Sequence, residues 1–134
     1  MAQTPLRFAG YAGLFDIADA GDDTIRKGAF AKTLAQRTKP LPLLWQHSPD
    51  QTIGEIEIAF EDARGLAVIG RIDRFSSRAA ALARKGAVNG LSFGYRAREA
   101  IRKPAGRELL GVDLFEVSLV THPLQHGARV HLFT

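Results

Sequence analysis

The segment IGEIEIAFEDARGLAVIGRI, residues 53–72, decides the fold. Ile53, Ile56, Ile58 and Phe60 recur along its first half, with Glu55 and Glu57 between the later ones. That alternation reads as a half-buried strand. Residues 61–65 carry Glu61, Asp62 and Gly65 and turn the chain, and residues 66–72 run back as a second strand. The pair predicts a β-hairpin, and with it a chain assembled from runs of strands rather than from alternating strands and helices.

Upstream of the hairpin, residues 7–15 read as a first strand and the acidic stretch 16–23 as a loop. Residues 27–37 read as a short helix, because Phe30 and Leu34 are four apart and share a face. Pro40 and Pro42 interrupt that pattern, Leu43-Leu44-Trp45 reads as a buried strand, and Ser48-Pro49-Asp50 as a turn. Downstream, the Ala-rich residues 76–87 read as a helix capped by Ser76 or Ser77, with Gly86 near its end. Residues 88–100 alternate Leu91, Phe93 and Tyr95 and read as a strand; 104–106 turn; 109–121 and 128–133 read as further strands. The expectation is a mainly β chain with flanking helices (α+β), about seven strands in a largely antiparallel barrel or sandwich, and two helices. Its 134 residues fit one domain, 1–134, large enough to bury a core.

The chain has no cysteine, which excludes disulfides, thiolate metal sites and a cysteine nucleophile. With 46% hydrophobic and 24% charged residues it is not a disordered composition. No apolar run approaches the ~20 residues of a membrane span, and the opening MAQTPLRFAGYAG does not read as a signal peptide. The net charge of +4 has one source. Residues 62–107 hold eleven basic and three acidic side chains, while 1–61 hold six and eight and 108–134 hold one and three. A solvated face explains such a stretch, and so does a docking surface for an acidic partner or nucleic acid. Its aromatics, Phe75, Phe93 and Tyr95, are few, and two of them fit the core face, which argues against nucleic acid.

The chain carries no phosphate-binding glycine loop, no dinucleotide fingerprint and no zinc-protease motif. Asp16, Asp19, Asp22 and Asp23 match no calcium loop and read as a solvated acidic turn. No cofactor or metal site is expected. Three positions stand out. His47 closes the apolar run PLPLLWQ, where partial burial tunes an imidazole. Ser92 lies between Gly90 and Gly94, which allow a close approach of other groups. Glu116 interrupts an apolar strand with Ser118 on its face, opposite Phe115, Val117 and Leu119, and needs water or a partner. Each also has a plain structural reading: a packing histidine, an outward strand serine, a surface glutamate. Together they supply a base, a nucleophile and an orienting group, as a catalytic triad requires.

The segments GYAGLFD (10–16), RKGAFAKTL (26–34), PLLWQHSP (42–49), IGEI (53–56), GLAVIGRI (65–72), GAVNGLSFGYR (86–96) and VDLFEVSLVTHP (112–123) run in an order that resembles the HK97-type prohead proteases of tailed bacteriophages. That resemblance implies a fold similar to the herpesvirus assemblins, an antiparallel barrel surrounded by helices. It implies a serine peptidase that removes scaffold or delta segments of the major capsid protein, and often processes itself. By the same resemblance the WQH histidine is His47 as base, the LSFGY serine is Ser92 as nucleophile, and the EVSLV glutamate is Glu116 as third member. The backbone N–H groups of Leu124 and Gln125 are the implied oxyanion donors, and His122, His126 and His131 take no role. The implied partners are the major capsid protein and its scaffold, with the portal protein as a further candidate. The implied setting is the assembling procapsid in the bacterial host cytoplasm, for a phage or a gene transfer agent. The alternative is a catalytically silent assembly protein with the same fold.

Overall fold

The computed structural model describes residues 4–134. Its elements follow as β1 Leu6–Leu14, β2 Asp23–Ile25, α1 Ala31–Gln36, β3 Leu41–Trp45, β4 Ser48–Glu61, β5 Gly65–Ile72, α2 Arg78–Arg84, β6 Gly90–Lys103, β7 Gly106–Val120 and β8 Val130–Phe133. One eight-stranded sheet runs in the order β2-β7-β3-β4-β5-β1-β8, with β6 paired to β7. β6 takes one edge of β7 along its length, so β2 and β3 share the other, both parallel to it. All other pairings are antiparallel.

The mainly β expectation with two helices holds, but a continuous ladder does not close the sheet into a barrel. Its ends meet at a single bridge between Gly90 and Arg129, flanked by the Leu91 N–H on the Ala128 carbonyl at 2.8 Å and the Val130 N–H on the Asn89 carbonyl at 2.9 Å. β8 pairs along β1 instead, so only the residues leading into it reach β6.

The deciding hairpin forms as β4 and β5, but its side chains do not alternate as predicted. The register shifts between Ile56 and Ile58, so Ile56 is buried while Ile58 and Phe60 are 51% and 46% exposed. One extra residue in a strand reverses the face of everything beyond it. The same device acts in β7, where the register jumps from Glu116 opposite Gly94 to Leu114 opposite Tyr95. Phe115 is the unpaired residue there and is 52% exposed, against the expectation that it joins Val117 and Leu119 in the core.

Local chemistry explains the remaining differences. The predicted helix at 27–37 is shorter, because Gly28 is left-handed and residues 28 and 30 donate their N–H groups to the Glu61 carboxylate. Phe30 is then free to insert fully into the core against Phe15 and Phe93. α2 begins at the Ser77 cap, whose hydroxyl accepts from the Ala80 N–H, and stops before a left-handed Gly86. The predicted turn at 48–50 is strand; the reversal comes earlier, at Gln46 and His47. The strand β2 was not predicted at all.

Candidate active site

β3 and β4 are joined by a two-residue turn, Gln46-His47, since Trp45 already pairs with Ser48. Both turn residues have left-handed backbones, with φ of 51° and 60°. Such turns fit the twist of a hairpin but favour glycine and asparagine, and a bulkier residue costs about 1–2 kcal/mol. Neighbouring bonds offset that cost. The Gln46 N–H donates to the Leu119 carbonyl at 3.0 Å. The Gln46 side chain grips Thr121 twice, donating to Oγ1 at 2.7 Å and accepting from the backbone N–H at 3.1 Å. The His47 N–H donates to Ser118 Oγ at 3.2 Å. The turn is thus pinned to the end of β7.

β7 delivers Glu116 and Ser118 to that turn on one face. Nδ1 of His47 lies 2.7 Å from Oε1 of Glu116. Ser118 donates to the other carboxylate oxygen at 2.5 Å. The Glu116 side chain is only 12% exposed, against 43% for His47, so the carboxylate sits at the inner end of the pair. Its hydrogen bond raises the His47 pKa above the ordinary value; partial burial opposes this, and the nearby negative charge adds to it. Glu116 accepts a hydrogen bond from the Nδ1–H of the neutral imidazole, which leaves Nε2 as the acceptor nitrogen.

Ser92 sits on the neighbouring strand β6, directly opposite Ser118, and is 4% exposed. Its side chain therefore lies on the face that carries Glu116 and Ser118, while Leu91 and Phe93 enter the core. Ser92 Oγ makes no hydrogen bond with His47 in this structure. The flanking glycines explain what shares this face. A Cβ on Gly94 would meet the Glu116 carboxylate oxygen at 2.4 Å, so the glutamate occupies the space that a side chain would fill. A Cβ on Gly90 would meet Pro123 at 2.7 Å, so the loop after β7 folds over that position. The serine lies between the His47–Glu116 pair on one side and the 121–125 loop on the other.

That loop is held from below. Gln125 is buried; its amide donates to the Leu14 and Ile17 carbonyls at 2.8 and 3.0 Å and accepts from the Leu14 N–H at 2.6 Å. The Leu124 carbonyl accepts from the Ala20 N–H at 3.0 Å. The backbone N–H groups of Leu124 and Gln125 donate to none of the described residues. Leu124 itself is 49% exposed.

The other singled-out groups serve structure. Asp16 pairs with Arg26, Asp19 accepts backbone N–H groups of its own loop, and Asp23 is bound by Arg107 and Tyr95. His131 stacks edge-on against Tyr11, and His126 lies beside Arg129. Among the described residues no cluster of three or more His, Asp or Glu could hold a metal ion. No described helix is long and apolar enough to cross a membrane. Sequence reasoning missed Gln46, Thr121 and the bridging part played by Ser118. The hydroxyl two residues after Glu116 was the only local signal, and it pointed to a face, not a partner.

Comparison with known proteins gives this geometry its context. The chain is 31% identical over 130 residues to the prohead protease of Enterobacteria phage HK97, covering 92% of this chain and 58% of that protein. It is 32% identical over 107 residues to a capsid polyprotein of Pseudomonas phage PAJU2, covering 72% of this chain and 16% of the polyprotein. The chain thus spans less than two thirds of either relative. Among solved structures, the Kaposi's sarcoma-associated herpesvirus protease is similar with a TM-score of 0.63 at 18% identity, over 98% of this chain and 65% of that one. The varicella-zoster virus protease is similar with a TM-score of 0.62 at 18% identity, over 96% of this chain and 64% of that one. These two show a shared, assemblin-like fold. The family model described as caudovirus prohead serine protease matches residues 2–134, and the chain belongs to that family.

Proposed function

We propose that this chain is the catalytic domain of a serine endopeptidase that cleaves scaffold or delta segments of a capsid protein during procapsid maturation. The observation that carries the reading is the His47–Glu116 pair set beside Ser92 across the β6–β7 ladder, in a chain of this family. The capsid polyprotein relative supports a capsid substrate. Self-cleavage, contact with a portal protein, and action inside the procapsid of a phage or gene transfer agent belong to the same proposal. The bridge between Gly90 and Arg129 is, on this reading, the seam of an assemblin-like barrel.

In the reaction Ser92 Oγ attacks a peptide carbonyl while Nε2 of His47 takes its proton. Glu116 fixes the imidazole tautomer and offsets the imidazolium charge. The free N–H groups of Leu124 and Gln125 receive the developing oxyanion. His47 then returns the proton to the leaving amine, and water releases the acyl group by the same route. Catalysis by such donors depends on their being fixed beforehand, and the three Gln125 amide bonds do that for the loop.

The test is co-expression with a major capsid protein from the same source, comparing the parent with Ser92→Ala. The parent is expected to shorten the capsid protein, and the variant to leave it intact while keeping the parent's circular dichroism. Unchanged shortening by a folded Ser92→Ala chain refutes the assignment.

A further inference from the structure

A surface trough lies between the β3–β4 hairpin and the start of α2. Trp45, two residues before the histidine, forms part of a cavity of about 470 Å³ with Ile53, Ala79 and Arg78. A second cavity of about 360 Å³ contains Arg74 and Asp73 and shares Ile53 and Ser77 with the first. Trp45, Ile53 and Ala79 thus form an apolar patch within a lining that also holds Gln51, Thr52 and Ser77, and one rim carries two guanidinium groups.

The charge on that rim is unspent. Arg74 and Arg78 are exposed, and neither forms an ion pair among the described residues, whereas Arg96, Arg98 and Arg107 on the β6–β7 hairpin each pair with an aspartate. The carboxylate in the trough, Asp73, is already engaged by Arg71 at 3.2 Å. Arg84 at the end of α2 and Lys85 just after it are also without an acidic partner among the described residues, and Arg84 stacks on Phe75 at 3.9 Å from its ring centre. Of the five cations on the β6–β7 hairpin four are thus paired, Lys103 with Glu108 among them, whereas the four between residues 74 and 85 are not, among the described residues. Of these, Arg74 and Arg78 border the trough, whose Trp45 precedes the proposed base by two residues. An apolar floor with cations on its rim recognises an apolar side chain flanked by carboxylates.

We infer that this trough binds an extended acidic segment of the polypeptide substrate, seating an apolar residue against Trp45, Ile53 and Ala79 and its carboxylate neighbours on Arg74 and Arg78. The inference names the substrate class of the site proposed above and rests on that reading.

Trp45 is the chain's single tryptophan, so its fluorescence reports occupancy directly. The Ser92→Ala chain is titrated with a soluble peptide in which one leucine is flanked by glutamates, and with the same peptide carrying glutamines. The acidic peptide is expected to give a saturable change that weakens steadily with added salt, and the glutamine peptide at least tenfold weaker binding. The double variant Arg74→Gln, Arg78→Gln, made in the same background, is expected to lose at least tenfold in affinity. Both arginines are exposed and unpaired, so circular dichroism of that variant is expected to match the parent. Equal binding of the two peptides, or indifference to salt, overturns the inference even if the double variant does not fold. A single-stranded oligonucleotide that displaces the acidic peptide and itself quenches Trp45 also overturns it, in favour of a nucleic-acid surface. Binding requires no chemistry. Loss of binding with intact proteolysis by the parent therefore refutes the trough alone, and binding without proteolysis refutes the enzymatic reading alone.

Discussion

At the scale of single residues, the site depends on a carboxylate placed where a side chain is missing. Glu116 occupies the space above Gly94, and a methyl group there would meet three atoms of the glutamate side chain within 3.0 Å. Gly94→Ala is expected to push the carboxylate away from Nδ1 of His47 and to lower kcat/KM by about 100-fold, the scale of an ångström's misplacement. Its urea midpoint should fall much less than its activity, and a parent-like kcat/KM would show that Glu116 position does not matter. Glu116→Gln tests the charge itself. The carboxylate raises the His47 pKa, and the neutral imidazole is the base, so the raised pKa places the acidic limb of the rate profile at higher pH. Without the charge that limb is expected to move to lower pH while the maximal rate drops at least about tenfold. A limb that stays in place would assign it to another group. The residue types of the site were legible in the sequence: a histidine ending an apolar run, a serine between glycines, a carboxylate inside a strand. The contacts were not, because Gln46 meets Thr121 and His47 meets Ser118 across 75 and 71 positions of the chain.

At the scale of elements, a two-residue turn and two register shifts place the side chains. The existence and order of the strands could be read from alternation, because an alternating apolar pattern is local. The faces could be read only within an unbroken register, as for Leu91 and Phe93 against Ser92: one residue added at Ile56–Ile58 or at Phe115 inverts the alternation, and no composition marks it. Strict alternation from the buried Leu114 would turn Glu116 into the core, and the unpaired Phe115 is what returns it to the face of Ser92. The three-residue β2 escaped for another reason, since so short a parallel strand exists only through its pairing with β7. The Gln46-His47 turn yields a stability prediction of unusual sign. Both Gln46→Ala and Gln46→Gly lose the two bonds to Thr121, but only glycine accepts a φ of 51° freely. Gln46→Gly should therefore be more stable than Gln46→Ala by about 1 kcal/mol in urea unfolding, the reverse of the usual order in strands. Equal or inverted stabilities would mean that the turn is not left-handed in solution.

At the scale of the whole molecule, charge does more than favour a partner, because one buried-edge cluster ties distant segments of the sheet together. Asp23 of β2 accepts both nitrogens of an Arg107 fork, at 3.0 and 2.9 Å, and the Tyr95 hydroxyl at 2.9 Å, so β2, β6 and β7 meet in one place. Arg107 chiefly holds the Asp23 pKa below its ordinary 3.8, with burial opposing and Tyr95 assisting. Burial first, then the bond to Asp23, pushes Tyr95 up to about 12. The two shifts act on opposite flanks of the stability curve. A depressed carboxylate stabilises the fold above its unfolded pKa, and that contribution disappears as the pH falls through the folded value. A raised phenol stabilises it below its unfolded pKa, and that contribution disappears as the pH rises through the folded value. The cluster should thus contribute fully between about pH 4 and pH 10 and fade on both sides. Asp23→Asn keeps the shape but removes the charge. Its urea midpoint is expected to lie below the parent's at pH 7 and to converge on it as the pH falls through the parent's lowered Asp23 pKa. On the alkaline side the variant's tyrosine loses a cause of its upward shift, so above about pH 10 the variant should lose less stability than the parent, and its decline should end at lower pH. A constant gap between the two chains from pH 7 down to pH 2 would show that Asp23 acts through packing rather than through its charge.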